Sequence, residues 1–300
     1  MRVNPNQLPS VLADLQQTQS TLNTALQEVS TGKRVQKPSD DPAASANMVQ
    51  NTIETSNVDK YTQNVSGVLS MVQTADSALG SVVSSLTKAV TLGVEGANGT
   101  TNATNQQSIA TEVQGILSSV VSLANTSYQG AYLFGGTAST QVPYTADSTS
   151  ASGYKYNGNS GVNSVSVGDN LTVQANLPGN QIFSNSSNDV LGSLSSLASA
   201  LQSGNTTAIQ TATSAITSAL NYVSQQRVSY ANAESQLNSQ ETYLQQETVS
   251  LTSQQTSLVG IDTAQAATDL AQAQTANSAA LAAAAKVLPN TLLTYLSPPQ

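Results

Sequence analysis

The chain has no cysteine, no histidine and no tryptophan. Without cysteine there is no disulfide and no thiolate nucleophile, and without cysteine or histidine the usual zinc sites are excluded. General acid–base catalysis loses its commonest residue. Aromatic residues make up only 4% and charged residues 9% of the sequence, thin material for a large globular core but sufficient for slender helix bundles. Nine Lys and Arg face 17 Asp and Glu, a net charge of −8. Gripping a phosphate backbone needs clustered cations, and only Lys33, Arg34 and Lys37 cluster, so nucleic acid is not an expected partner. No apolar run approaches the roughly 20 residues of a membrane span. The opening MRVNPNQLPSVLADLQQ lacks the charged-then-apolar order of a cleavable signal peptide. Membrane insertion is therefore not expected, and any export must read a different signal.

What is present is periodicity. From Asn205 to Val259 there is neither Gly nor Pro, and an apolar residue recurs at every seventh position: Ile209, Ile216, Val223, Tyr230, Leu237, Leu244, Leu251, Leu258. This spacing predicts one long helix with a narrow seam wound against partner helices. At 1.5 Å per residue such a helix is roughly 80 Å long, too long for a compact domain. The positions three residues after each seam residue are mostly small or polar, so a bundle of the chain's own helices fits better than a two-stranded zipper.

Upstream, Leu8, Leu12, Leu15, Leu22, Leu26 and Val29 follow a four–three alternation, which predicts a helix with a two-position apolar seam. Gly32 is placed to cap it in the left-handed conformation. After a polar elbow, Asp41 reads as the N-cap of a second helix with Pro42 at its first position. Val58, Val65, Val72, Leu79 and Leu86 carry that helix to about Gly93, and Gly67 and Gly80 within it are expected to make small-residue contacts. A third helix is expected over about 105–128. The period then changes from helical to alternating. Val165 and Val167, the turn Gly168-Asp169-Asn170, then Leu171 and Val173 form a hairpin signature. A short helix over about 189–202 leads into the long one. Beyond Gly260 the chain turns Ala-rich, with Leu270, Leu281 and Leu288 as its larger residues, Pro289 as a stop, and Leu292 and Leu296 in an apolar end.

The fold expected is mainly α: an elongated antiparallel helical bundle with a small inserted β domain and paired N- and C-terminal helices. The expected domains are 1–40 with 261–300 for assembly, 41–136 with 189–260 as a rod, and 137–188 as an outer β-rich insert. The two terminal helices alone would be a thin pair, because small assemblies bury little surface. Their seams are therefore expected to be completed by neighbouring copies.

Catalytic candidates are few. Asp40 and Asp41 are explained by the helix cap. Glu234/Glu241 and Asp262/Asp269 are each seven apart and read as solvated faces. Lys33, Arg34 and Lys37 could touch an acidic partner or pair with Glu28 or Asp40. Gly130, Gly135 and Gly136 fit turns better than ligand loops, and Tyr154 and Tyr156 fit sheet packing better than a sugar platform. No phosphate-binding loop, nucleophile elbow or EF-hand loop is present, so no catalytic residue, cofactor or metal is expected.

The block LQEVSTGKRVQKPSDDPAAS, the opening MRVN, GAYLFGG at 130–136, NYVSQQRVSYANAESQLNSQE and the closing LLTYL together resemble the flagellin-like axial proteins of the bacterial flagellum. Both terminal thirds carry the resemblance, and the β insert is the variable part. Pro42 in DDP, where filament flagellins usually carry Ala, is similar to the hook–filament junction branch of that family. Tyr230-Ala231 departs from it, standing where a Leu/Ile-Gly pair is common. The resemblance implies a secreted, non-enzymatic structural adaptor assembled as a homo-oligomeric ring. Its implied partners are the first hook-associated protein on the hook side, flagellin on the filament side and a cytoplasmic export chaperone, with type III export. It also implies terminal helices forming an inner tubular layer. A filament-forming flagellin, and a glycan-binding module or enzyme carried by the β insert, are the alternatives.

Overall fold

The computed structural model describes residues 7–99 and 101–296, with side chains for 9–99 and 101–286. In chain order its elements are α1 (Gln7–Thr31), α2 (Pro42–Gly96), α3 (Ala103–Ala124), β1 (Ser127–Tyr128), β2 (Ala131–Tyr132), β3 (Tyr144–Ala146), β4 (Tyr154–Tyr156), β5 (Ser164–Gly168), β6 (Leu171–Gln174), α4 (Gly179–Ile182), β7 (Ser184–Asn185), β8 (Asn188–Asp189), α5 (Val190–Ser203), α6 (Thr206–Val259) and α7 (Thr263–Leu296). The protein is mainly α, and among the described residues the strands pair as four two-stranded antiparallel ribbons. The chain divides into two compact units, Met1–Asn57 with Glu247–Gln300, and Val58–Gln246.

In the unit spanning 58–246, the seams of α2 and α6 are its core. Val65, Val72, Leu79 and Leu86 from α2 and Ile209, Ile216, Val223, Tyr230, Leu237 and Leu244 from α6 are all buried. Antiparallel pairing is pinned by polar contacts. The Arg227 guanidinium donates to both Asp76 oxygens at 2.9 and 2.8 Å, and Gln73 donates to Glu234 at 2.9 Å. Neither inner glycine makes the small-residue contact expected of it: a Cβ at Gly80 would meet the Arg227 guanidinium at 3.5 Å, an ordinary contact, and one at Gly67 would have nothing within 4 Å. α2 is long enough, and an 18-residue window of it apolar enough, to cross a bilayer by length and composition alone, which the expectation of no such run did not foresee. Part of that helix's apolar surface, Val65, Val68, Val72, Ala75, Leu79, Val82, Leu86 and Ala89, is buried in this core.

The third helix is shorter than expected and ends at Ala124. Asn125 leaves it because its side chain accepts from the Tyr144 N–H at 2.8 Å and donates to the Tyr144 carbonyl at 2.9 Å. The chain then enters β1 and turns at Gln129 (φ 50°) and Gly130 (φ 83°) into β2, the paired positive φ values of a tight hairpin turn. α3 lies against α5, whose Asp189 cap accepts from Gly192 N–H and whose Gly204 ends it in the left-handed region.

The hairpin read at Gly168-Asp169-Asn170 is β5–β6, with a register shift between Ser166 and Gly168. Its tip is tied to the helices: Tyr61 donates to Asp169 at 3.0 Å, Asn64 to the Ser166 carbonyl at 2.8 Å and Gln240 to the Val167 carbonyl at 2.9 Å. The GAYLFGG segment contributes Phe134 to a small aromatic core. Phe134 meets Phe183 edge-on at 5.2 Å, and Tyr144 meets Phe183 at 6.0 Å and Tyr156 at 5.1 Å. Burial drives the Tyr144 hydroxyl well above its ordinary pKa, so it stays neutral and bonds Ser184 at 3.0 Å.

In the other unit, α1 packs along α7. The α7 backbone runs helically through Pro289 to Leu296, where the sequence predicts a stop. A proline inside a helix lacks one N–H donor and strains the turn before it; this removes one bond of the ladder without ending it.

Candidate assembly surface

The four–three seam of α1 is divided by the structure. Leu15 and Leu22 are half-buried and Ala25 is buried, facing an α7 whose buried residues, among those with described side chains, are Ala266, Ala273 and Ala284, with Leu270 half-buried beside them. Small residues on both helices let the backbones approach closely but bury little area, at about 25 cal/mol per Å². Thr18 Oγ1 donates to Asn277 across the pair at 3.5 Å. The rest of the strip is uncovered: Leu12 is 54% exposed, Leu26 44%, Val29 42%, and Leu281 on α7 52%. Leu8, Leu288, Leu292 and Leu296 lie outside the residues whose side chains are described. One Ala-rich helix is narrower than the stripe a heptad seam plus its flanks presents, so part of α1 stays in solvent.

The long seam of α6 behaves differently. Seven of its members, Ile209 to Leu251, are buried within the chain. The eighth, Leu258, is half-buried and yields its place to Val259, which clusters with Val35 and Ala44. The seven buried members are packed within the chain.

Between α1 and α2 the elbow is held to the α6–α7 connection. Arg34 N–H donates to the Val259 carbonyl at 2.7 Å, its guanidinium to the Leu258 carbonyl at 3.3 Å and to Asp41 at 3.2 Å, and Lys33 forms a bridge with Gly260. The sequence suggested Glu28 or Asp40 as partners for this cluster; the geometry gives Arg34 to Asp41. Its signal was faint, a single apolar Val35 in a polar stretch. Asp41 also accepts from the Ala44 N–H at 2.9 Å, the N-cap of a helix that opens at Pro42. Asp40 accepts from Lys37 and Gln36 N–H at 2.9 and 3.1 Å. Beside the elbow lies an open groove of about 550 Å³, lined by Lys33, Val35, Lys37, Met48, Val49 and Ile53 among others. Val49 and Ile53 belong to the uncovered apolar surface of this unit.

Both elbow carboxyls sit below the ordinary 3.8, Asp41 through the Ala44 amide first and Arg34 second, Asp40 through the Lys37 and Gln36 amides. A lowered folded-state pKa means the stabilisation is complete above the unfolded value and fades as pH falls through the folded one. The elbow is therefore expected to loosen on acidification below about pH 4, seen as faster amide exchange at Gln36, Lys37 and Ala44. Asp41→Asn should remove the Arg34 part of that response; unchanged exchange at Ala44 across this range would refute the assignment.

Both members of the Asp262/Asp269 pair have structural partners. Asp262 accepts from Ala264 and Gln265 N–H at the start of α7, and Asp269 accepts from Gln265. Tyr156 donates to the Phe134 carbonyl at 2.9 Å and packs on Tyr144. Gly130 and Gly136 take positive φ in turns. Among the described residues no cluster of three or more Asp and Glu could hold a metal.

With this geometry in place, comparison with known proteins is informative. Residues 4–139 match the bacterial flagellin N-terminal helical region and residues 213–296 the bacterial flagellin C-terminal helical region. Flagellar hook-associated protein 3 of Escherichia coli is 31% identical over 122 residues, 40% of this chain and 38% of that protein. Its Salmonella typhimurium counterpart is 32% identical over 119 residues, 39% and 38% of the two chains. The chain thus spans well under half the length of these relatives. Among solved structures, a putative flagellar hook-associated protein from Vibrio parahaemolyticus has a TM-score of 0.66 at 21% identity, over 72% of this chain and 98% of that one. Bacillus cereus FlgL gives 0.60 at 23% identity, over 69% and 99%. At these identities the structures speak to fold: long helices with small, open sheets.

Proposed function

The chain belongs to the bacterial flagellin family, and from that premise we propose that it is a structural adaptor of the flagellum. In this reading it forms the junction between the hook and the filament, outside the cell, and catalyses nothing. The observation that carries it is the division of the seams: α6 is satisfied internally, while α1 and α7 keep Leu12, Leu26, Val29 and Leu281 in solvent. An uncovered apolar strip beside a seam filled within the chain is a surface for association. The relatives named hook-associated protein 3, and Pro42 after the two aspartates, favour the junction over the filament.

The partners proposed are further copies of this chain in a ring, the first hook-associated protein on one side, flagellin on the other, and a cytoplasmic chaperone before export. A heterologous contact that closes on itself gives a ring. The filament-forming reading has flagellins among the relatives behind it, Flagellin 1 of Proteus mirabilis being 31% identical over 145 residues, 47% of this chain and 39% of that protein.

Localisation on cells separates the two. Tagged in the variable β region, the protein is expected as a short band where the filament begins. Label along the whole filament, or purified chain growing into long filaments unaided, would replace the junction reading with the flagellin one; label nowhere on the appendage would end both.

A further inference from the structure

The groove beside the elbow is walled by the first turns of α2. Ser45, Met48, Val49, Thr52 and Ile53 line it. They stand at i, i+3, i+4, i+7 and i+8, the spacing with which one helix offers a stripe to another. Met48 is drawn inward, packed against the cluster of Val35, Ala44 and Val259. Val49 and Ile53 are not: they are 62% and 50% exposed, although they share the stripe. This length of α2 has the pattern of a helix-packing face, and the described residues leave the outer part of it in solvent.

The rim of the groove carries a charge opposite to that of the chain. Acidic residues outnumber basic ones 17 to nine, yet among the described residues the lining holds Lys33 and Lys37 and no carboxylate. Both lysines are exposed, and neither belongs to an ion pair among the described residues. Asp40 attracts Lys37 through space, but its carboxylate already accepts from the Lys37 and Gln36 amides.

An apolar floor with a cationic edge selects an apolar helix that carries carboxylates along one flank. The uncovered strip of a second copy does not supply one. Neighbours on a helix surface are three and four residues apart, and the positions three and four away from Leu12 and Leu26 hold no Asp or Glu. We propose that the groove is a docking site for an acidic amphipathic helix of another protein. Val49 and Ile53 meet its apolar side chains, and Lys33 and Lys37 meet its carboxylates. This contact is separate from the α1 strip and stands whether or not that strip joins copies of the chain.

The test uses the full-length chain and a fluorescein-labelled synthetic helix with leucines three and four residues apart and glutamates beside them. A second peptide carries lysine in place of each glutamate. Fluorescence anisotropy is expected to show saturable binding of the acidic peptide, at least about tenfold tighter than that of the basic one and weaker as salt is added. Lys33→Gln with Lys37→Gln should remove most of that preference. Val49→Asp with Ile53→Asp should weaken binding at least about tenfold. All four side chains are exposed, so the circular dichroism melts of both variants should match the parent. No binding, equal binding of the two peptides, or binding indifferent to these substitutions would overturn the proposal. So would loss of self-association in the Lys33→Gln, Lys37→Gln chain, read by sedimentation velocity, because the occupant would then be a second copy.

Discussion

A chain carrying Leu12→Asp together with Leu26→Asp is expected to fold as the parent does and to remain monomeric under conditions in which the parent associates. Both leucines are about half exposed, so in the isolated chain each change should stay within about 0.5 kcal/mol. In an interface the exposed half of each side chain becomes buried, which contributes roughly 0.8–1.5 kcal/mol apiece. Losing both weakens association by about 1.5–3 kcal/mol, on the order of 10–10² in affinity. Sedimentation velocity reads the association, and the far-UV circular dichroism melting curve reads the fold. On the proposed function, cells producing only this variant should assemble no junction. If the variant associates like the parent, the outer strip of α1 is not an assembly surface.

The choice of residues rests on the structure. The α1 seam read from sequence contains Leu15 as well, and Leu15→Asp would also block assembly, but Leu15 is half-buried toward α7. That variant damages the α1–α7 pair first, so its failure to assemble would not distinguish a lost interface from a lost helix. Leu12 and Leu26 separate the two.

The heptads of α2 and α6 were legible because a period of seven survives any tertiary context that keeps one face buried, and Val65, Leu79, Ile216 and Leu237 are buried as their spacing demands. The Asp41–Pro42 start was legible because cap chemistry is local. Which half of the α1 stripe faces α7 was not, since that depends on the width of an Ala-rich partner more than 240 positions away in sequence. The end of α3 was misjudged for a similar reason: helical propensity carries the pattern to Tyr128, while the bonds that pull Asn125 out come from Tyr144. Pro289 misled in the other direction, because a propensity rule prices a missing donor without knowing what the flanking turns gain. The elbow's grip on residues 258–260 is made mostly by backbone groups, and backbone hydrogen bonding between distant segments leaves almost no mark in side-chain identity.

If the seams differ in kind, substitutions in them must differ in readout, and Leu237→Ala supplies the other half of the contrast. Leu237 is fully buried in the α6 seam, among side chains that cannot collapse fully into the space it leaves. Removing its isobutyl group costs the transfer free energy plus a cavity term, about 2–5 kcal/mol in total. That is a large share of the stability of an ordinary domain, and it should appear as a lower urea midpoint for the unit spanning 58–246, with little change in slope. Leu281→Ala, on the exposed side of α7, should leave that midpoint where it was and weaken association instead. A Leu237→Ala chain with parental stability would mean that the α6 seam is completed by other copies rather than by the chain itself, and the distinction between internal and shared seams would have to be drawn elsewhere.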